Sequence, residues 1–250
     1  MPLADNLEQR NTMKKQNIKG QFASKTDIGC VRVTNEDQAV SLINSSGNVL
    51  LCVCDGMGGH NSGDVASEDV LKNLQFFYHD IPAGLGAGDF NEIIVSWLGS
   101  INAFIASKGR ADERFKGMGT TLVGLAYYNN DFYSLNCGDS RLYRFRNRQL
   151  TQLTTDHSLN NMLGSEKHTS IITNCIGGGC GTSYIDIVQI TSDVLVGDTF
   201  MLCSDGLTDM LPDSAISQIL EDGGDVDELC LSAIQKGGLD NISCCLIRIK

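Results

Sequence analysis

Between residues 89 and 105 the apolar side chains recur at helical spacing, with Phe90, Ile93, Ile94, Trp97, Leu98, Ile101, Phe104 and Ile105 on one face. The pattern predicts a long amphipathic helix opened by Asp89, with Glu92 completing a capping box, and stopped at Gly109. A weaker period through Val65 and Leu74 predicts an earlier helix over 62–77, joined to the first as an antiparallel neighbour by the glycine-rich stretch 83–88. Most of the remainder reads as strand. Residues 49–54, 200–203 and 242–249 are apolar at both parities, as in strands covered on both faces. Asn129-Asn130 and Asn147-Arg148 are turn pairs that predict hairpins over 120–136 and 142–153. Two short helices, 213–220 and 225–236, each have an aspartate at the expected cap. Grouped strands with helices in no regular alternation predict α+β layers, and no repeat or linker divides the 250 residues, so a single domain is expected.

Composition narrows the classes. Apolar residues make up 42%, which fits a globular chain rather than a disordered one. A formal net charge of −11 argues against a nucleic-acid partner, because a phosphate-backbone grip needs a basic surface. The same charge suits solubility, or a site of carboxylates that only a cation can neutralise. The first 18 residues read as a mobile polar tail without a signal-peptide core, which leaves 19–250 as the folded domain. No run of 18 apolar residues occurs, so a cytoplasmic protein with no membrane segment is expected. Ten cysteines lie mostly in strand-like runs and form no Cys-x-x-Cys pair. They read as reduced core hydrophobes, not as a zinc site or a disulfide scaffold.

The candidate chemistry lies in acids beside apolar strands. Asp55-Gly56, Asp205-Gly206, Gly138-Asp139, Asp240-Asn241 and the pair Glu36-Asp37 all share that context. A single Asp-Gly is an ordinary turn. Several carboxylates ending strands at one place would repel one another unless divalent cations lay between them. Oxygen donors without histidine select Mg²⁺ or Mn²⁺ over zinc. Two such ions, about 3.5–4 Å apart, can hold a water in line with a phosphorus atom. A cysteine-based phosphatase would need Cys, five residues, then Arg, and none of the ten cysteines has it.

The order of these motifs resembles the metal-dependent serine/threonine phosphatases of type 2C, the PPM family, in bacterial form. The resemblance rests on Thr26 to Asp37, Asp55-Gly56-Met57-Gly58-Gly59-His60, Gly119-Thr120-Thr121, Gly138-Asp139-Ser140-Arg141, Ser204-Asp205-Gly206-Leu207 and Asp240-Asn241. It implies a four-layer α-β-β-α sandwich with two central antiparallel sheets and a metal site at one end. It further implies that Asp55 bridges two Mn²⁺ or Mg²⁺ ions, with Asp205 and Asp240 completing the first and Glu36 and the Gly56 carbonyl holding the second. Asp139, with Asp205, matches a third, weaker site. Asp37 is similar to the acid that orients the attacking water, and Arg32 to the clamp on the substrate phosphate. Asn241 is expected to fix the loop around Asp240.

Two departures stand out. Met57 follows Asp55-Gly56 where animal relatives carry a histidine proposed as general acid, which leaves the proton donor open; His60 reads as a loop residue at the start of the first helix. After Asp156-His157-Ser158-Leu159 only 160–170 precede the next apolar run, so the mobile flap of bacterial relatives reads as trimmed. The expected activity is hydrolysis of phosphoserine and phosphothreonine in the protein targets of a serine/threonine kinase, by a monomer. Two alternatives stay open: a catalytically silent pseudophosphatase that binds a partner, and a phosphatase of a small phosphorylated metabolite.

Overall fold

Strands buried on both faces must be sandwiched, and the chain solves this with two sheets face to face and helices outside each. The computed structural model describes residues 21–58, 62–163, 171–179 and 183–250. The expected tail, Gly59, His60 and most of the trimmed segment lie outside the described residues. The strands are β1 (Gln21–Asp27), β2 (Asp37–Ile43), β3 (Val49–Met57), β4 (Gly119–Thr120), β5 (Leu122–Tyr128), β6 (Asp131–Cys137), β7 (Arg141–Arg146), β8 (Gln149–Gln152), β9 (Ile176–Gly177), β10 (Asp186–Gln189), β11 (Thr199–Cys203) and β12 (Ile242–Arg248). One sheet runs β10-β6-β5-β3-β4-β9 with β2 also paired to β3; the other runs β1-β12-β11-β7-β8. All the pairings are antiparallel.

Strand parity assigns each apolar side chain to a layer. On β3, Val49, Leu51 and Val53 enter the core between the sheets, while Leu50, Cys52 and Cys54 face the helices α1 (Gly63–His79) and α2 (Ala87–Ala111). On β12, Cys245 and Ile247 face the other sheet. Ile242, Cys244 and Leu246 meet the opposite helical layer, built from α4 (Asp205–Thr208), α5 (Asp213–Glu221) and α6 (Val226–Gln235). A five-residue helix, α3 (Leu159–Leu163), follows the hairpin of β7 and β8. The four layers are those expected. Among the described residues, Cys52, Cys54, Cys203, Cys230, Cys244 and Cys245 are buried free thiols.

The hairpin turns form as predicted, with Asn129 and Asn130 at φ 48° and 68°, and Asn147 and Arg148 at 50° and 66°. Two consecutive left-handed residues match the right-handed twist of the flanking strands. Helices α1 and α2 run antiparallel: Asp69 pairs with Lys108, and Phe77 further along α1 meets Trp97 earlier in α2. The predicted helix starts need correction. Asp89 is the third residue of α2, where its carboxylate accepts from the Gly86 N–H, and the helix continues past Gly109 to Ala111. Pro212 rather than Asp213 caps α5, whereas Asp225 caps α6 as expected and also forms a capping box with Glu228.

Candidate active site

Asp37 opens β2 and lies directly across the ladder from Asp55 on β3. The sequence reading placed Asp55 at the end of its strand, but β3 continues through Gly56 and Met57 because these pair with Thr120 and Gly119 of β4. The backbone of Asp55 is pinned from both sides. Its N–H donates to Thr121 Oγ1 at 2.9 Å, and its carbonyl accepts from the Thr121 N–H and the Thr120 hydroxyl, each at 2.9 Å. Gly119-Thr120-Thr121 therefore fixes where the Asp55 side chain leaves the sheet.

Asp205 is not a strand end either; it begins α4, one residue beyond the end of β11 with Ser204 between. Its helix lies close enough to the Asp240 loop that a Cβ on Gly206 would fall 2.0 Å from the Asn241 carbonyl oxygen, so only glycine fits. Between the sheets, Ser204 Oγ donates to Asp37 Oδ2 at 2.7 Å and accepts from the Ser243 N–H at 3.0 Å, tying β2 to β11 and β12. Sequence reasoning missed Ser204, which stands beside the Asp205-Gly206 motif without an obvious chemical role.

Glu36 is held by three segments. Its N–H donates to Asn241 Oδ1 at 2.8 Å, and its carbonyl accepts from the Gly56 N–H at 3.1 Å and from Ser67 Oγ at 2.5 Å. A Cβ on Gly56 would lie 2.4 Å from the Glu36 carbonyl oxygen and 2.3 Å from that of Gly63, so glycine is required for this crossing. The Asn241 amide also donates to the carbonyls of Ile28 and Thr34, each at 3.0 Å. Asn241 thus stitches the loop that carries Arg32 and Glu36 to the loop that carries Asp240. At the rim, Arg32 Nη2 donates to Asp240 Oδ2 at 2.6 Å, both side chains being partly exposed.

The chain brings together all the acids the motifs singled out, and their charges act on one another. Burial, reinforced by the charges of Asp37, Asp205, Asp139 and Asp240, pushes the Asp55 carboxyl far above the usual range. Burial raises Asp37 to about 7 against the opposing hydrogen bonds from Ser204 and Ser243. Burial and then the charge of Asp205 raise Asp139 to about 7 as well. Asp205 and Glu36 are also raised, chiefly by burial. Burial disfavours the Arg32 charge, yet its hydrogen bond to Asp240 and the nearby Glu36 and Asp55 keep the guanidinium above its ordinary value.

Among the described residues, no three His, Cys, Asp or Glu side chains already enclose a point where an ion would be coordinated. The donor chemistry nonetheless fits a hard divalent cation: every donor is a carboxylate or carbonyl oxygen, and burial together with neighbouring carboxylates disfavours the charge on Asp55 and Asp139. A cavity between the end of α2, residues 115–118 and Gly177–Gly179 is lined by none of these acids.

The sequence model of the protein phosphatase 2C family matches residues 32–225. The serine/threonine phosphatase stp of Listeria monocytogenes is 31% identical over 238 residues, covering 89% of this chain and 93% of that protein. Protein phosphatase PhpP of Streptococcus pneumoniae is 33% identical over 240 residues, with coverage of 89% and 94%. Among solved structures, the S. agalactiae serine/threonine phosphatase superposes with a TM-score of 0.82 at 29% identity, over 92% of this chain and all of that one. The catalytic domain of the phosphatase PstP, solved in complex with two manganese ions, gives a TM-score of 0.75 at 28% identity over 92% and 98% of the two chains. The chain belongs to the protein phosphatase 2C family. It is an enzyme, a protein phosphatase.

Proposed function

We propose that this protein hydrolyses phosphoserine and phosphothreonine in other proteins at a binuclear Mn²⁺ or Mg²⁺ site. The observation that carries the reading is the group of buried acids from separate segments, Asp37, Asp55, Asp139 and Asp205, each raised above the usual carboxylate range chiefly by burial and further by neighbouring carboxylates. Such a group is stable as anions only with added positive charge. Its phosphatase relatives, one of them solved with two manganese ions, supply the second support.

Asp55 would hold both cations, Asp205 and Asp240 the first, and Glu36 with the Gly56 carbonyl the second; Asp139 and Asp205 would hold a third. When bound, these ions neutralise the carboxylates, polarise phosphoryl oxygens and make water acidic enough to attack near neutral pH. Asp37, buried and fixed by Ser204, orients the attacking water and takes its proton. Arg32 exchanges its partner Asp240 for two oxygens of the substrate phosphate, a bidentate grip for which the planar guanidinium is suited. The protein works as a monomer in the cytoplasm, on the targets of a serine/threonine kinase. No helix of the described residues is long and apolar enough to cross a membrane.

Turnover of a phosphothreonine peptide, measured after EDTA treatment and again with Mn²⁺, tests this directly. Activity should vanish and return; hydrolysis that persists without the ion would refute the mechanism. Faster turnover of sugar phosphates than of the peptide would move the substrate to small metabolites.

A further inference from the structure

The acids are shared out among strands, a helix start and loops, and the loop that carries Asp139 is gripped at both ends by two consecutive residues, Asp156 and His157. Asp156 takes the far end. Its carboxylate accepts from Arg141 Nε at 3.0 Å and from Nη2 at 2.6 Å. His157 takes the near end, where the Gly138 N–H donates to its ring Nδ1 at 3.1 Å and the His157 N–H donates to the Gly138 carbonyl at 2.9 Å. Gly138, at φ 125°, is the residue before Asp139.

The tautomer of the ring follows from its donors. A backbone N–H can only donate, so Nδ1 must be bare. A second donor agrees: the Asn174 amide nitrogen lies 2.8 Å from Nδ1, and its orientation is fixed because Tyr184 N–H donates to Asn174 Oδ1 while Asn174 Nδ2 donates to the Tyr184 carbonyl. The neutral ring therefore carries its proton on Nε2, which donates to Asp186 Oδ2 at 2.9 Å. With 6% of its surface exposed and its ring tilted at 44° against that of Tyr184, the imidazole is a buried hub. It joins the Asp139 loop to Asn174, Tyr184 and Asp186, and the Thr173 N–H also donates to the His157 carbonyl at 2.8 Å.

We propose that His157 is a positioning residue: in its Nε2–H form it sets the Gly138-Asp139 backbone, and so the direction in which the Asp139 carboxylate meets Asp205. It touches neither substrate nor reacting atoms. This rests on the phosphatase reading above for the role of Asp139. Partners one step outside a ligand shell typically change affinity or activity about 10- to 100-fold.

A double-mutant cycle with two readouts tests it. His157→Ala, Asp139→Asn and the double variant are compared for phosphopeptide turnover across a Mn²⁺ titration and for Mn²⁺ binding by calorimetry, with melting temperatures alongside. His157→Ala is expected to weaken Mn²⁺ binding and half-activation about 10-fold or more, and to add nothing in the Asp139→Asn background. Additive losses, or an Asp139→Asn variant that is itself neutral, would overturn the proposal.

If the alanine variant fails to fold, His157→Asn and His157→Gln decide. Asparagine keeps an acceptor near the Nδ1 position and glutamine one near Nε2, so only asparagine should stay within about threefold of wild type; the reverse order would overturn the assignment. In the cation-free protein, nitrogen NMR of the ring should report Nε2–H, and an Nδ1–H form would equally overturn it. A wild type without cation-dependent turnover would instead sink the phosphatase reading, whatever the NMR showed.

Discussion

Asp37 and Asp240 belong to the same group of acids, yet the protein holds them by opposite means. Asp37 is inside, across the ladder from Asp55, where Ser204 donates to it from the facing sheet. Asp240 is at the rim on a loop and meets the guanidinium of Arg32. The interior acids are placed by strands and hydroxyls, which orient a carboxyl without neutralising it. The rim acid is placed by a charge. The contrast fits the proposed division of labour: strands and hydroxyls fix the interior acids, and at the rim Arg32 would trade the Asp240 carboxylate for a substrate phosphate.

The sharpest way to break this comparison is to neutralise an interior acid. Asp55→Asn should cut phosphopeptide turnover by more than about 100-fold, beyond what residues outside a ligand shell usually cost. Its cation-free melting temperature should hold or rise, because an isosteric amide removes a buried repelled acid. Near-normal turnover would show that Asp55 is not where the cations bind.

Next in size is a pH effect on stability. Asp37 and Asp139 rise from an ordinary 3.8 to about 7 in the fold, so between those values the folded cation-free chain binds more protons than the unfolded chain. Stability conferred by these protons is complete below the lower value and lost as pH climbs through the upper one. Melting temperature without cation should therefore fall from pH 4 towards pH 7, and Mn²⁺ should raise it most above pH 7. A cation effect that is flat with pH would sever the acids from the ion.

The rim gives the smallest change. Arg32→Ala should raise KM about 10- to 100-fold, matching about 1.5–3 kcal/mol for a hydrogen bond to a charged group, with kcat much less affected. A loss confined to kcat would make Arg32 a residue of the transition state alone.

Much of the interior frame was legible in the sequence. Strands apolar at both parities, such as 49–54 and 242–249, announce two covering layers, and paired asparagines announce their hairpins. The rim was less so. β1, an edge strand of mixed exposure, has no apolar alternation, and β4 and β9 are two residues each, too short for any period. Helix α1 was read from Val65 and Leu74, whereas its buried face runs through Ala66, Val70, Leu74 and Tyr78, and small Ala66 hides the four-residue repeat. The acids were visible because Asp-Gly beside an apolar strand is a local signal. What pins them was not: Ser204, Ser243 and His157 act across separations of 19 to 167 residues, for which a single chain carries no mark.

The buried thiols have a consequence for handling. Inside the fold Cys52 and Cys54 stand 4.0 Å apart and Cys230 and Cys244 3.7 Å, shielded from oxidants by the layers around them. Once the layers separate, these buried thiols become available in one flexible chain, and air can join them in pairings the native layers would not accept. Heating without a reductant should then be a one-way journey, with aggregates cross-linked by sulfur, while the same scan with a reductant should retrace itself on cooling.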